Sequence, residues 1–246
     1  MSMRDWIPKR GLTSWQSLDK LNTKGDSERM INSTAAALEA VNDAWTRICH
    51  ECRSVLGSEL HYQAMIYHSL RCDGRVPVDQ LGMNVKQWIP NVTSDLFKKL
   101  DQSKNESFRG GFEPIPDIVI FSPNVGGDWR RRRADHTMKH MLVAIEVKAS
   151  ERANRRLTYS EIAGDIAKLS AHQEEARVRG YNFTPIMLVI DTAPDPKERI
   201  TQTTSNDLRA LCIELGVEWR YLDPCDDEVQ RIGSEHRLTS GNEQDK

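Results

Sequence analysis

The chain has 246 residues, 28% of them charged and 38% hydrophobic, and a formal net charge of −2. That balance excludes a polycation binding nucleic acid through bulk charge, yet leaves room for a locally basic groove. No apolar run approaches the roughly 18 residues of a membrane span, so no membrane partner is expected. The length suits one large domain, or one domain with an appended helical piece.

In chain order, residues 1–26 read as a polar arm with Trp6 and Trp15 as anchors. Met1–Trp6 lacks the apolar core of a signal peptide. From about Ser27, Ile31, Leu38, Val41, Trp45, Ile48, Cys52 and Val55 recur at helical steps, predicting an N-terminal helical extension over 27–57 that Gly57 stops. Ser58 caps a second helix from Glu59 to about Arg71. Val85–Ile89 reads as a first strand ended by Pro90, and Thr93 or Ser94 caps a short helix through Leu100.

Two short apolar runs follow, Pro116–Phe121 and Met141–Lys148, each carrying acid. Both are rich in β-branched residues and bounded by Pro or polar clusters, as buried strands are. Period-2 alternation puts Glu146 and Lys148 on one face of their strand. If the strands are neighbours, Asp117 joins them, giving two carboxylates and an ammonium in one cleft. Buried charges of this kind are costly unless a metal or an ionic partner compensates them. Between the strands, Ser122–His140 is a loop holding Arg130, Arg131, Arg132 and Arg133, four guanidiniums able to clamp phosphates or to stand solvated. Arg152, Arg155 and Arg156 add basic charge just after Lys148.

Thr158 or Ser160 opens a long helix to Arg179, closed by Gly180; Asp165, Lys168 and His172 share one of its faces. A buried strand over Pro185–Asp191, a helix over Asn206–Leu215 and a strand over Val217–Leu222 complete the pattern, and residues 224–246 read as a disordered tail. This mixture argues for an α/β fold with a mixed central sheet flanked by helices. Five cysteines lack a disulfide rhythm and read as reduced thiols in a cytoplasmic protein. Cys49 and Cys52 have zinc-like spacing but sit in a helical pattern without a second pair, which favours core packing. No Gly-Lys phosphate loop or nucleophile elbow is present.

Pro116-Asp117 and Glu146-Val147-Lys148, on successive strands, resemble the PD-(D/E)XK, or restriction-endonuclease-like, nuclease superfamily. The resemblance spans roughly Ser58 to Asp191 and implies an αβββαβ core, so that 58–223 would be the nuclease domain. It implies a metal-dependent DNA endonuclease using Mg²⁺, with Mn²⁺ able to substitute. Asp117, Glu146 and the Val147 carbonyl are then the metal ligands. Lys148 orients or activates the water, or stabilises charge at the phosphorus. Glu59 stands where many members carry a further acid, with Gln63 a turn later, and Lys168 and the Arg130–Arg133 run become DNA contacts. A restriction or phage-defence role, a homodimer and partners in a multi-component system follow by family habit alone. A structure-selective repair nuclease and a non-catalytic DNA-binding subunit are the rival expectations.

Overall fold

The computed structural model describes residues 29–130 and 135–224. The arm over 1–26, Arg131, Arg132, Arg133 and nearly all of the tail lie outside the described residues. Among the described residues five α-helices and seven strands follow one another: α1 (Thr34–Arg53), α2 (Glu59–Cys72), β1 (Leu81–Met83), β2 (Ile89–Pro90), α3 (Asp95–Gln102), β3 (Gly111–Phe112), β4 (Ile118–Phe121), β5 (Met141–Ala149), α4 (Tyr159–Val178), β6 (Thr184–Ile190), α5 (Gln202–Leu215) and β7 (Glu218–Leu222).

Five strands form one mixed sheet in the order β1-β4-β5-β6-β7. β4 runs antiparallel to both β1 and β5, whereas β5, β6 and β7 are parallel to one another. The parallel strands are joined by helices, as a crossover between parallel neighbours requires. β2 and β3 pair separately. The sheet is covered on both faces, which is why β4 and β6 read as almost continuous apolar runs. Val143, Ile145, Val147 and Ala149 of β5 pack under α1 and α2. Ala144 faces the opposite layer, where α3, α4 and the small β2–β3 ribbon gather, and α4 and α5 cover β6 and β7.

Cap chemistry explains the helix limits. The Ser33 side chain accepts the Ala36 amide, so α1 begins at Thr34 rather than near Ser27. Ile31 is nevertheless buried, because its amide and carbonyl both bond Gln80. That anchoring, rather than helical periodicity, put it in the apolar stripe. α1 also stops earlier than expected, at Arg53, and Val55 is left partly exposed. Ser58 and Ser94 cap α2 and α3 as read. Thr158 and Glu161 form a reciprocal capping box on α4, and Gly180 follows that helix with φ +78°. Thr201 caps α5, which starts at Gln202, four residues before the expected Asn206.

Two expectations need correction. The segment 27–57 is no appendage: Ala37, Ala40, Val41, Ala44 and Ile48 share one core with β5 and β6. Nor is Val85–Ile89 the first strand of the sheet. That place belongs to Leu81–Met83, paired with Ile118–Ile120. Asn84 turns the chain at φ +51° and donates its amide to the Asp117 carbonyl. Val85 then folds over Gly82, where a β-carbon would come within 2.5 Å of the Val85 side chain. Val85, Gln87 and Ile89 are buried, but only the end of the segment pairs, Trp88 in a single bridge and Ile89 in the β2–β3 ladder.

Glu175 ties two elements together. It is fully buried on α4 and accepts the amides of Thr93 and Ser94 at 2.5 and 2.6 Å, completing the N-terminus of α3, while pairing with Arg179. At the far end of α2, Gly74 lies against α1, and a β-carbon there would stand 2.7 Å from the Ala40 carbonyl oxygen. Both obstructing atoms are backbone oxygens, of Ala40 and Leu70, and cannot rotate away. Gly74→Ala is therefore expected to cost about 1–3 kcal/mol through overpacking, read as a lower urea midpoint at unchanged slope.

Candidate active site

Asp117 immediately precedes β4, and the register Ile118↔Ile145 sets it against the later half of β5. Its Oδ2 accepts the Val147 amide at 2.7 Å. Glu146 and Lys148 emerge from β5 on the face towards α4. There Asp165 bonds the Lys148 Nζ at 3.0 Å and the Lys168 Nζ at 2.8 Å. The first turn of α2 brings Glu59 to the same Lys148 Nζ at 3.2 Å. Four carboxylates and two ammonium groups thus gather at one end of the sheet.

Their electrostatics are set by burial. Desolvation raises the Asp117 carboxyl to about 7, against the stabilising Val147 amide; nearby Glu59 and Asp165 raise it further. Glu146 is pushed up to about 9, again by desolvation first and then by the charges of Asp117 and Asp165. Among the described residues, no hydrogen bond or ion pair reaches the Glu146 carboxylate. Burial also raises Glu59, despite its bond to Lys148. Burial alone would lower the Lys148 ammonium, but bonds and charge from Asp165 and Glu59 outweigh it and hold the group above the ordinary lysine value. Lys148 is thus held as the cation despite its burial.

Asp165 is the residue that sequence reasoning undervalued. It was grouped with Lys168 and His172, yet Lys168 was preferred as the functional member. In the fold Lys168 is half-exposed and serves as one of two cations around Asp165, which is 8% exposed. The signal was present: Ile162, Asp165, Ile166 and Leu169 occupy steps of three and four, so an acid interrupts the apolar stripe of α4.

The other expected positions divide. Val147 supplies its amide to Asp117, while its side chain lies in the core under α1 and α2. Gln63 is buried and accepts a bond from Asn84, a structural role. Arg130 does not border the site. The loop holding it leaves from Phe121 and returns at Met141, the opposite end of the β4–β5 hairpin from Asp117. Four residues of strand separate those ends, roughly 13 Å. Arg130 is largely exposed and pairs with Asp128; Arg131, Arg132 and Arg133 are not among the described residues. Alternation sets Glu146 and Lys148 on one face, but the polarity of the β4–β5 hairpin sends the arginine loop to the other end of the sheet. Cys52 packs in the core.

Two recesses open from the cluster. One, of about 240 Å³, lies between the Phe112–Pro116 segment and α4, with Glu146, Asp165, Lys168 and His172 on its wall. Burial pushes His172 down to about 3, so it is a neutral imidazole near pH 7. The other, of about 210 Å³, lies beyond Lys148 and is walled by the loop after β5. Among the described residues no helix is long and apolar enough to cross a membrane. Comparison of the chain with family models, curated proteins and solved structures finds no match.

The donor set fits a hard divalent cation. Asp117 commits one oxygen to Val147, and Glu146 presents a carboxylate that burial first, and then the charges of Asp117 and Asp165, disfavour as an anion. Among the described residues no group of three or more His, Cys, Asp or Glu side chains is preassembled as a metal cage. Magnesium keeps several waters and needs only one or two carboxylates.

In chelator, the raised carboxyls make stability fall with pH. Both folded values exceed the unfolded values of about 4, so the folded state holds extra protons. The contribution is complete below about pH 4 and lost as pH rises through about 7 and about 9. Glu146→Gln is expected to flatten this decline and to gain at least about 1 kcal/mol at pH 9, since one pKa unit is worth about 1.4 kcal/mol. Urea unfolding from pH 5 to 9 measures it; an unchanged slope would show that Glu146 is solvated.

Proposed function

We propose that the protein is a metal-dependent phosphodiesterase acting on DNA, a nuclease of restriction-endonuclease-like architecture. The observation that carries this reading is the convergence of Asp117 and Glu146, both driven towards neutrality by burial and mutual repulsion, beside the doubly held ammonium of Lys148. Structural ion pairing accounts for Lys148 and Asp165, whereas Lys148 and Lys168 reach Glu146 only through their charge, with no hydrogen bond or ion pair to it among the described residues. The order α2, β1, β4, β5, α4, β6, a helix, three strands, a helix and a strand, supports the family reading.

Asp117 and Glu146 would hold Mg²⁺, or Mn²⁺ in its place. Such an ion supplies charge neutralisation at the phosphoryl oxygens and a more acidic bound water. The chain's own groups do the rest. Lys148, kept charged by Asp165 and Glu59, stabilises negative charge developing at phosphorus and orients the attacking water, rather than removing its proton. Asp165 fixes the Lys148 head, and its second oxygen holds Lys168 at the mouth of the cleft, where that ammonium meets a phosphate. Glu59 braces Lys148 from the α2 side. A restriction or defence setting, a homodimer and partner proteins are extensions of the same reading.

Plasmid, linear duplex, single-stranded and branched DNA are to be incubated with and without Mg²⁺. Metal-dependent cleavage is expected, falling about 10²-fold or more in Lys148→Ala, Asp117→Asn and Glu146→Gln with circular dichroism unchanged. Preference for branched DNA would assign a repair role. DNA binding without cleavage in any metal would leave the non-catalytic subunit as the correct reading.

A further inference from the structure

The recess beyond Lys148 has a different character from the carboxylate cluster. β5 ends at Ala149, and the chain then turns through Arg152–Arg155, closed by the Arg155 amide on the Arg152 carbonyl at 3.2 Å. Asn154 takes φ +63° in that turn, and its amide bonds the Glu198 carboxylate. The Ser150 amide is held by the Ile190 carbonyl and its hydroxyl by the Glu198 carbonyl. The turn is therefore anchored to the segment after β6 and presents Arg152, Arg155 and Arg156 to the recess, with Lys148 on its inner wall.

The acids on this wall are already engaged. Glu59 pairs with Lys148, and Glu151 accepts the backbone amide of Glu59. Glu161 serves the capping box with Thr158 and pairs with Arg155. Arg156 feels the buried Asp191 only at range. Among the described residues, neither Arg152 nor Arg156 has a salt bridge. Two guanidiniums without an anion, in a concavity shared with Lys148, form a site for a tetrahedral oxyanion, which their planar forks engage through paired hydrogen bonds.

We infer that Arg152 and Arg156 form a subsite for a backbone phosphate of the substrate strand, next to the phosphate that is cleaved. The inference rests on the phosphodiesterase reading for the identity of the ligand. It moves the nucleic-acid contact from the arginine run at the other end of the hairpin to the loop at the C-terminal end of β5. Hairpin polarity favours this placement, since Asp117, Lys148 and the 150–157 loop share one end of the sheet. Lys148 is common to the cluster and the recess, so one strand crossing the cluster places consecutive phosphates in the two sites. The contact supplies affinity and register without reading bases.

The test is fluorescence anisotropy of a labelled DNA duplex in EDTA, titrated with NaCl, beside cleavage in Mg²⁺. The double variant R152A/R156A is expected to bind about tenfold more weakly. Its log affinity against log salt should lose about one unit of slope, the value for one neutralised phosphate. R177A, on the exposed end of α4, is the control and should match the parent protein. Both arginines of the variant are exposed, so folding is retained, and circular dichroism checks it. If the parent cleaves DNA while the double variant keeps both affinity and slope, the subsite is overturned and the phosphodiesterase stands. If the parent neither binds nor cleaves, both readings fall together.

Discussion

Carboxylates drawn out of water at one end of a sheet cannot all remain anions without a compensating cation. Asp117, Glu146, Glu59 and Asp165 meet this constraint together, and the protein answers it only in part. Lys148 and Lys168 neutralise Asp165, and Lys148 also serves Glu59. The Val147 amide eases Asp117. Among the described residues Glu146 has no such bond, and Lys148 and Lys168 favour its anion only through their charge. Removing one partner of such a buried set is costly, and carboxylates shifted by burial and by one another mark this end of the sheet as the candidate site.

The fold holds the cluster in place from several directions. β4 and β5 are neighbours in the middle of a sheet covered on both faces, so neither Asp117 nor Glu146 can swing away without disturbing the core. Lys148 is fixed by groups from two helices that pack on opposite faces, α2 through Glu59 and α4 through Asp165. The close contact of α2 with α1 at Gly74, and the bond from Glu175 on α4 to the start of α3, stiffen those helices far from the cluster. Position is thus bought by burial of ordinary apolar residues, while the charged groups sit where the helices and strands end.

Much of this was legible in the chain, for local reasons. Ser58, Ser94 and Thr158 announce helix starts because a side-chain oxygen must satisfy orphan amides. The run Met141–Ala149 announces a strand because β-branched residues alternate about Glu146 and Lys148. Asp165 was less visible, since an acid within an apolar stripe looks the same whether it faces a cluster or a single lysine. Ile31 misled in the other direction, being buried by Gln80 rather than by helical periodicity. Val85–Ile89 has the composition of a strand and the burial of one, but Asn84 turns it out of the ladder.

Sequence alone determined most of the element types and the placing of Glu146 and Lys148 on one face, because period, caps and turn residues act within a few positions along the chain. Which charges share a neighbourhood was decided only by tertiary structure. Strand register brought Asp117 to Val147, helix packing delivered Glu59 and Asp165 to one ammonium, and hairpin polarity separated Arg130 from the cluster while placing Arg152 and Arg156 beside it. Those facts depend on long-range contacts, and no local pattern encodes the end of a sheet at which a loop emerges.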